Sequence, residues 1–274
     1  DSIIADSYVE VKNTDMFSKD RRPRLGGPID PSMGTFEQNI QCTACHNKKR
    51  NCLGHDGHIM LNYPVFNVIT FEEMLNWLRI ICFKCKFPIV DIKKYKSLES
   101  AAKSIKTQNK ANRACSCKEW HPILKRDKKN KYMILAVFND NKGPSETVKI
   151  PIYKEQEGRI LVEKRIIFPH FAGEILSGIS DDIVRHFKRT LDSHPKNFVL
   201  NAIKVPPVSV RPDSRNVRSG KASMDDLTAK IIAIVSENNS IEKNDWLEGE
   251  ISRDLKDKIY KLNDLFVSLI RETT

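Results

Sequence analysis

The run from Cys42 to His58, CTACHNKKRNCLGHDGH, constrains the fold of this chain more than any other stretch. It sets out Cys42-x2-Cys45-x6-Cys52-x2-His55, four soft ligands within 14 residues. A tetrahedral zinc ion needs four such atoms at about 2.0–2.3 Å. Two ligands two residues apart form a tight knuckle, and a second pair closes the site. Three ordinary buried thiols and a surface histidine would have no reason to keep that spacing in a reduced protein. Three histidines lie close by. His55 repeats the x2 spacing of the knuckle, His58 is expected to make a structural hydrogen bond, and His46 is the third.

The chain has seven cysteines, an odd number that argues against a complete disulfide framework. Six form three close pairs, Cys42/Cys45, Cys82/Cys85 and Cys115/Cys117, and Cys52 is the seventh. With His55 there are eight ligands, enough for two structural Zn2+ ions with no cysteine left over. That points to a reducing compartment and metal rather than oxidation. The second site would be Cys82, Cys85, Cys115 and Cys117. Its C-x-C half is tighter than the usual C-x2-C, and His121, at Cys117-x3-His121, could replace one thiolate. A redox role for Cys82/Cys85 is disfavoured: a reactive C-x-x-C opens a helix, where the dipole lowers the thiol pKa, and this pair follows a predicted helix.

Catalytic zinc keeps an open position, and here four ligands close each site. No H-E-x-x-H, deaminase H-x-E with P-C-x-x-C, P-loop or G-x-G-x-x-G is present. The zinc therefore reads as a fold staple. The 274 residues carry a net charge of 46 − 35 = +11. Such a balance suits an acidic partner, nucleic acid first and an anionic membrane second, against the plainer reading of solubility alone. No apolar run approaches the ~18 residues of a membrane span. No signal peptide is visible and the first residue is Asp1, so the chain reads as a processed or cut-out piece.

Residues 1–24 look irregular, with a basic stretch at Ser18–Leu25, and GGPIDPSMG (26–34) reads as consecutive turns. Thr70 with Glu73 is a capping-box pattern before a helix over 71–80, whose apolar stripe reads as core. Leu124–Lys131 reads as a basic loop. Residues 132–138 and 147–153 read as strands joined in a hairpin by NDNKGP, with 159–162 a third strand. From Glu174 one or two helices follow, the second starting at Ser180–Asp182. A strand then runs into Pro206, Pro207 and Pro212. Arg211, Arg215, Arg218 and Lys221 crowd into 11 residues, the best local candidates for phosphate contact, with a solvated charge cluster as the bland alternative. Helices over 225–238 and 246–271 close the chain. The last carries one apolar stripe, Leu247, Ile251, Leu255, Ile259, Leu262, Phe266 and Leu269, which asks for a partner helix. The fold class expected is α+β, a zinc-stapled module with helices and a small antiparallel sheet. Its parts would be 1–24, a zinc-binding part 25–130, a mixed part 131–222 and helices 223–274.

Taken together, GGPIDPSMG, the C-x2-C-x6-C-L-G-H-D-G-H-I run and PVF at 64–66 resemble the N-terminal clamp of the largest subunit of multisubunit RNA polymerases. Ile179-Ser-Asp-Asp182 is similar to that family's I-S-D-E turn, VPPVSVRP (205–212) to its V-P-P-x-x-V-R-P strand, and DDLTAKI (225–231) to its D-D-L-T-x-K-L helix start. The resemblance covers most of 24–272 in order and is eukaryotic in type. WLRIICFKCKFPIVD and SHPKNFVLNAIKVPP resemble the versions in large DNA viruses of the asfarvirus kind. Segment 131–162 matches no motif. The catalytic N-A-D-F-D-G-D is missing, so the holoenzyme's Mg2+ is not expected to bind this segment.

The resemblance implies part of a DNA-directed RNA polymerase, a nucleotidyltransferase, closing over DNA and the DNA–RNA hybrid. Partners would be the second-largest subunit and the rest of the largest one, with no membrane. The setting would be a cytoplasmic viral factory or virion for a virus, otherwise the nucleus. The alternatives are a free-standing zinc-dependent transcription factor that binds nucleic acid, or a ubiquitin-ligase module. The first lacks a finger-type recognition helix, and the second would interleave its ligands.

Overall fold

The computed structural model describes residues 2–35, 37–107, 114–128, 130–138, 148, 150, 152–157, 160–188, 194–212, 214–215, 222–242 and 251–273. The helices are α1 (Ser2–Ala5), α2 (Phe71–Ile80), α3 (Leu98–Thr107), α4 (Pro169–Ser177), α5 (Asp181–Phe187), α6 (Asp226–Asn239) and α7 (Arg253–Thr273). The strands are β1 (Gly57–Phe66), β2 (Ile123–Arg126), β3 (Ile134–Val137), β4 (Ile152–Glu157), β5 (Ile160–Ile167), β6 (Val199–Val205), β7 (Ser214–Arg215) and β8 (Ala222–Ser223). The class is α+β, as expected. The chain makes two compact units, each discontinuous in sequence: Asp1–Tyr63, Asn201–Asp245 and Asp254–Thr274, and Pro64–Leu200 with Trp246–Arg253. Segment 25–130 therefore contributes one metal cluster to each unit.

In the second unit, α2 starts and stops where the apolar spacing puts it. Thr70 occupies the N-cap, but its side chain makes no capping bond. Glu73 turns instead to Lys188, 2.7 Å away, so the capping box is not formed. Met74, Leu75, Trp77 and Leu78 are fully buried. They belong to a helical core that α2 shares with α3, α4 and the 3-10 turn Pro195–Phe198. A four-stranded antiparallel sheet runs in the order β2-β3-β5-β4. This corrects the expected hairpin. β3 pairs with β2 and β5, while β4 pairs with β5, with Glu157 opposite Ile160. The turn-rich segment 139–147 lies outside the described residues. The register carries β4 back alongside β5, and residues 158–159 between them lie outside the described ones. Residues 124–126, expected as loop, form most of β2 because they pair with 134–136.

In the first unit, α6 and α7 supply the helical core. Asp225 caps α6 by accepting from the Thr228 N–H at 3.1 Å. Asn238 accepts from the Asn62 N–H at 2.7 Å and donates to the Met60 carbonyl at 2.9 Å, fixing the end of α6 against β1. The stripe of α7 from Leu255 to Leu269 is buried within this chain, and Lys261–Glu237 and Lys230–Glu272 pair α7 with α6. The partner helix is thus internal. Residues 246–250, where the stripe was expected to begin, lie outside the described ones.

Candidate metal centres

Three knuckles hold the cysteine pairs, and each is built the same way. In the first, the Cys42 N–H donates to the Asn47 carbonyl (2.9 Å) and the His46 N–H to the Cys42 carbonyl (2.8 Å). In the second, Cys82 N–H donates to Phe87 (2.9 Å) and Lys86 N–H returns to Cys82 (3.0 Å). In the third, Cys115 N–H donates to Glu119 (2.8 Å) and Lys118 N–H returns to Cys115 (2.8 Å). The residue after each second cysteine, His46, Lys86 or Lys118, has φ of 58°, 61° or 66°. This left-handed residue turns the N–H groups toward the sulfurs, at a conformational cost of about 1–2 kcal/mol for a non-glycine. The C-x-C pair closes the same loop one residue earlier. Its tighter spacing is accommodated in the turn, not at the ligands.

The knuckles bring together Cys42, Cys45, Cys52 and His55 in one cluster and Cys82, Cys85, Cys115 and Cys117 in another, the eight residues expected. Within each cluster the ligand atoms all lie within 4.8 Å of one another. All seven cysteines are free thiols. Cys82 Sγ lies 3.6 Å from Cys117 Sγ, and Cys85 Sγ 3.4 Å from Cys115 Sγ. A disulfide needs about 2.05 Å. A zinc tetrahedron with bonds of about 2.3 Å has sulfur–sulfur edges near 3.8 Å. Cys52 Sγ lies 3.7 Å from His55 Nε2, against about 3.6 Å for the corresponding mixed edge. The donor sets fit a tetrahedral ion.

Electrostatics favour a cation too. Burial pushes the Cys52 thiol up to about 11, and raises Cys82 and Cys115 as well. The hydrogen bond to His55 holds Cys45 down at about 6. Three crowded sulfurs in the first cluster and four in the second ionise together most readily around a positive charge.

The first cluster is assembled from separate stretches. Asp30 caps the turn Pro31–Met33, accepting from the Ser32 N–H at 2.8 Å and the Gly26 N–H at 2.5 Å. The carbonyls of that turn then receive the Thr43 and His55 N–H groups, each at 3.3 Å. Gly54 sits at φ 87°, and a Cβ there would stand 2.5 Å from Ser209 Oγ and 2.6 Å from Pro207 Cβ. The C-L-G-H spelling is thus set by the proline turn behind it. His58 makes the structural bond expected of it, 2.7 Å from Ser7 Oγ. The second cluster hangs on regular elements: Cys82 follows α2, and Cys115 and Cys117 precede β2. His121 is not among its ligands. It is buried with Nε2 2.9 Å from the Leu78 carbonyl and Nδ1 3.0 Å from that of Pro122.

The basic cluster divides differently. Arg211 is 1 % exposed, which removes it from the phosphate contacts expected of it. Its Nε donates to the Pro206 carbonyl (3.1 Å), Nη1 to Thr228 Oγ1 (3.1 Å) and Nη2 to the Pro28 carbonyl (2.9 Å). Burial draws its pKa down to about 10, with Asp225 opposing, so it stays charged at neutral pH. It joins the proline turn, the Gly-Pro turn and the start of α6. No local signal marks this, since Pro28 stands 183 residues away. Arg215 lies in β7, paired with β8, and Arg218 and Lys221 lie outside the described residues.

The profile of the family described as RNA polymerase Rpb1, domain 1, matches residues 1–257. A DNA-directed RNA polymerase RPB1 homolog of African swine fever virus is 31% identical over 226 residues, which is 81% of this chain and 14% of the viral protein. The RNA polymerase subunit Rpo1N of Methanococcus vannielii is 28% identical over 253 residues, 87% of this chain and 26% of that subunit. Rpo1N of Methanocaldococcus jannaschii is 28% identical over 245 residues, 89% and 17% respectively. The chain thus spans 14% of the length of the viral relatives. A family profile that runs through both cysteine clusters, the proline turn and α6 leaves one assignment: the chain belongs to the RNA polymerase Rpb1, domain 1, family.

Proposed function

We propose that this chain is the clamp part of the largest subunit of a DNA-directed RNA polymerase, holding DNA and the DNA–RNA hybrid during transcription. The observation that carries this reading is the family match over 1–257 in a chain with two closed four-ligand clusters. Each cluster would hold a structural Zn2+: Cys42, Cys45, Cys52 and His55 one, Cys82, Cys85, Cys115 and Cys117 the other. The ion would staple knuckles that have few apolar side chains of their own, and its binding energy would be folding energy. Nucleotidyl transfer would belong to the assembled enzyme, whose Mg2+ we assign to no residue here. The net charge of +11 suits a surface that grips backbone without reading bases. The partners would be the second-largest subunit and the remainder of the largest one. The African swine fever virus relatives favour a cytoplasmic viral factory as the setting.

A tagged pull-down from the native source at moderate salt tests the assembly. Recovery of a second large polymerase subunit is expected, and recovery of DNA with no polymerase subunit would favour a free-standing zinc protein. Elemental analysis tests the centres. The expected content is two zinc ions, falling to one in Cys52→Ser and in Cys82→Ser. A variant that keeps both ions and its melting temperature would overturn the ligand assignment.

A further inference from the structure

Between the ligands Cys45 and Cys52 the chain reads His46-Asn-Lys-Lys-Arg-Asn51, and all six residues are exposed. Their backbone is nonetheless fixed. The Asn47 carbonyl receives the Cys42 N–H, and the Lys48 carbonyl receives the N–H groups of Asn51 (2.9 Å) and Cys52 (3.0 Å). Gln41 bridges to Lys48, and His46 makes the left-handed turn. Three cations, Lys48, Lys49 and Arg50, therefore sit on a tight turn whose two ends are metal ligands. Among the described residues no carboxylate pairs with any of them. The second knuckle carries one exposed cation, Lys84, while its Lys86 is half-buried and donates to the Phe83 carbonyl at 2.6 Å, so that cation serves the fold.

We propose that the 46–51 turn is a phosphate-backbone site, with Lys48, Lys49 and Arg50 taking phosphodiester oxygens of nucleic acid independently of sequence. The proposal rests on the clamp reading. Three thiolates and an imidazole around a divalent ion leave one negative charge, which does not cancel three cations. An ordinary solvated basic loop must lose backbone freedom when it meets a phosphate, whereas this one is already ordered by its hydrogen bonds. The fork of Arg50 fits a phosphate bidentately, and the two lysines add point charges.

The test uses the assembled polymerase. One triple variant carries Lys48→Ala, Lys49→Ala and Arg50→Ala; the other carries Lys93→Ala, Lys94→Ala and Lys96→Ala, the same charge removed from exposed positions of the second unit. Binding to a transcription scaffold is measured against salt. The 48–50 variant should lower the slope of log K against log salt by about 2–3, while the 93–96 variant leaves it near that of the wild type. Equal loss in both, or loss in neither, overturns the proposal. Unchanged zinc content and subunit recovery separate this result from failure of the clamp reading. Should the triple variant not assemble, a photo-crosslinker at Asn51 in the otherwise unaltered chain decides the matter. Crosslinks to labelled duplex DNA, single-stranded DNA or RNA support the site and identify the strand, and crosslinks to protein alone overturn it.

Discussion

The two cysteine clusters, each able to hold a metal ion, share a knuckle geometry and differ in what stands behind it. The second hangs between α2 and β2, next to a helical core with Met74, Leu75, Trp77 and Leu78 fully buried. The first is loop on every side before β1, apart from the short turn Pro31–Met33, and is propped by the capped turn, the proline turn and one buried arginine. Four ligands at a fixed spacing thus specify a local turn whatever surrounds it, while the surroundings decide how much else depends on the metal.

Chelation is the harshest way to break the comparison. Structural zinc is worth about 10–16 kcal/mol in finger peptides. Its removal should expose 26–58 wholesale to hydrogen exchange, but only 81–88 and 114–120 of the second centre, with α2 still protected. Loss of α2 protection at the same rate would make the two centres equivalent.

Arg211→Met comes next. It strands the carbonyls of Pro28 and Pro206 and the Thr228 hydroxyl, and should cost about 1–3 kcal/mol for each group left unpaired. Chelator competition should show faster release from one centre only. Arg211→Lys should not rescue it, because a lysine cannot span the three acceptors.

Acid sharpens the contrast from the other side. Burial holds His170, on α4 in the second unit, down at about 4. A base depressed below its unfolded value of about 6.5 contributes stability that is complete above 6.5 and lost as pH falls toward 4. His170→Gln should remove about 2 kcal/mol of that dependence, after allowance for partial exposure. Denaturant midpoints at pH 7 and pH 4.5 read it out, and an unchanged difference between them would count against a half-buried neutral imidazole.

The smallest effect asks whether the knuckles are one design. His46→Gly and Lys118→Gly each relieve a positive φ at the cost of backbone entropy. Both should change stability by less than about 1 kcal/mol and in the same direction. Opposite signs would mean that the C-x-C loop is strained in a way the C-x2-C loop is not.

The two cysteine clusters, the bounds of α2 and the start of α5 were legible because each depends on contacts a few residues apart, whereas α4 begins at Pro169, before the expected Glu174. The partner of β3 was not. NDNKGP carries strong turn residues, but strand pairing is decided by which edge a neighbour leaves open, and β5 took both β3 and β4. The stripe on α7 was read correctly as a face that packs on another helix, but not which helix, since a stripe records that apolar area is covered and not by what; the ion pairs to α6 supply the answer.

Arg211 marks the limit most clearly. Its sequence neighbours are basic and polar, so it reads as one phosphate contact among four. Its chemistry is fixed by a carbonyl 183 residues away. Spacing alone marked the two cysteine clusters, because a knuckle is a short-range turn closed by hydrogen bonds a few residues apart. Tertiary structure alone decided which cations face water and which hold the fold, because burial and its hydrogen bonds depend on segments distant in the chain.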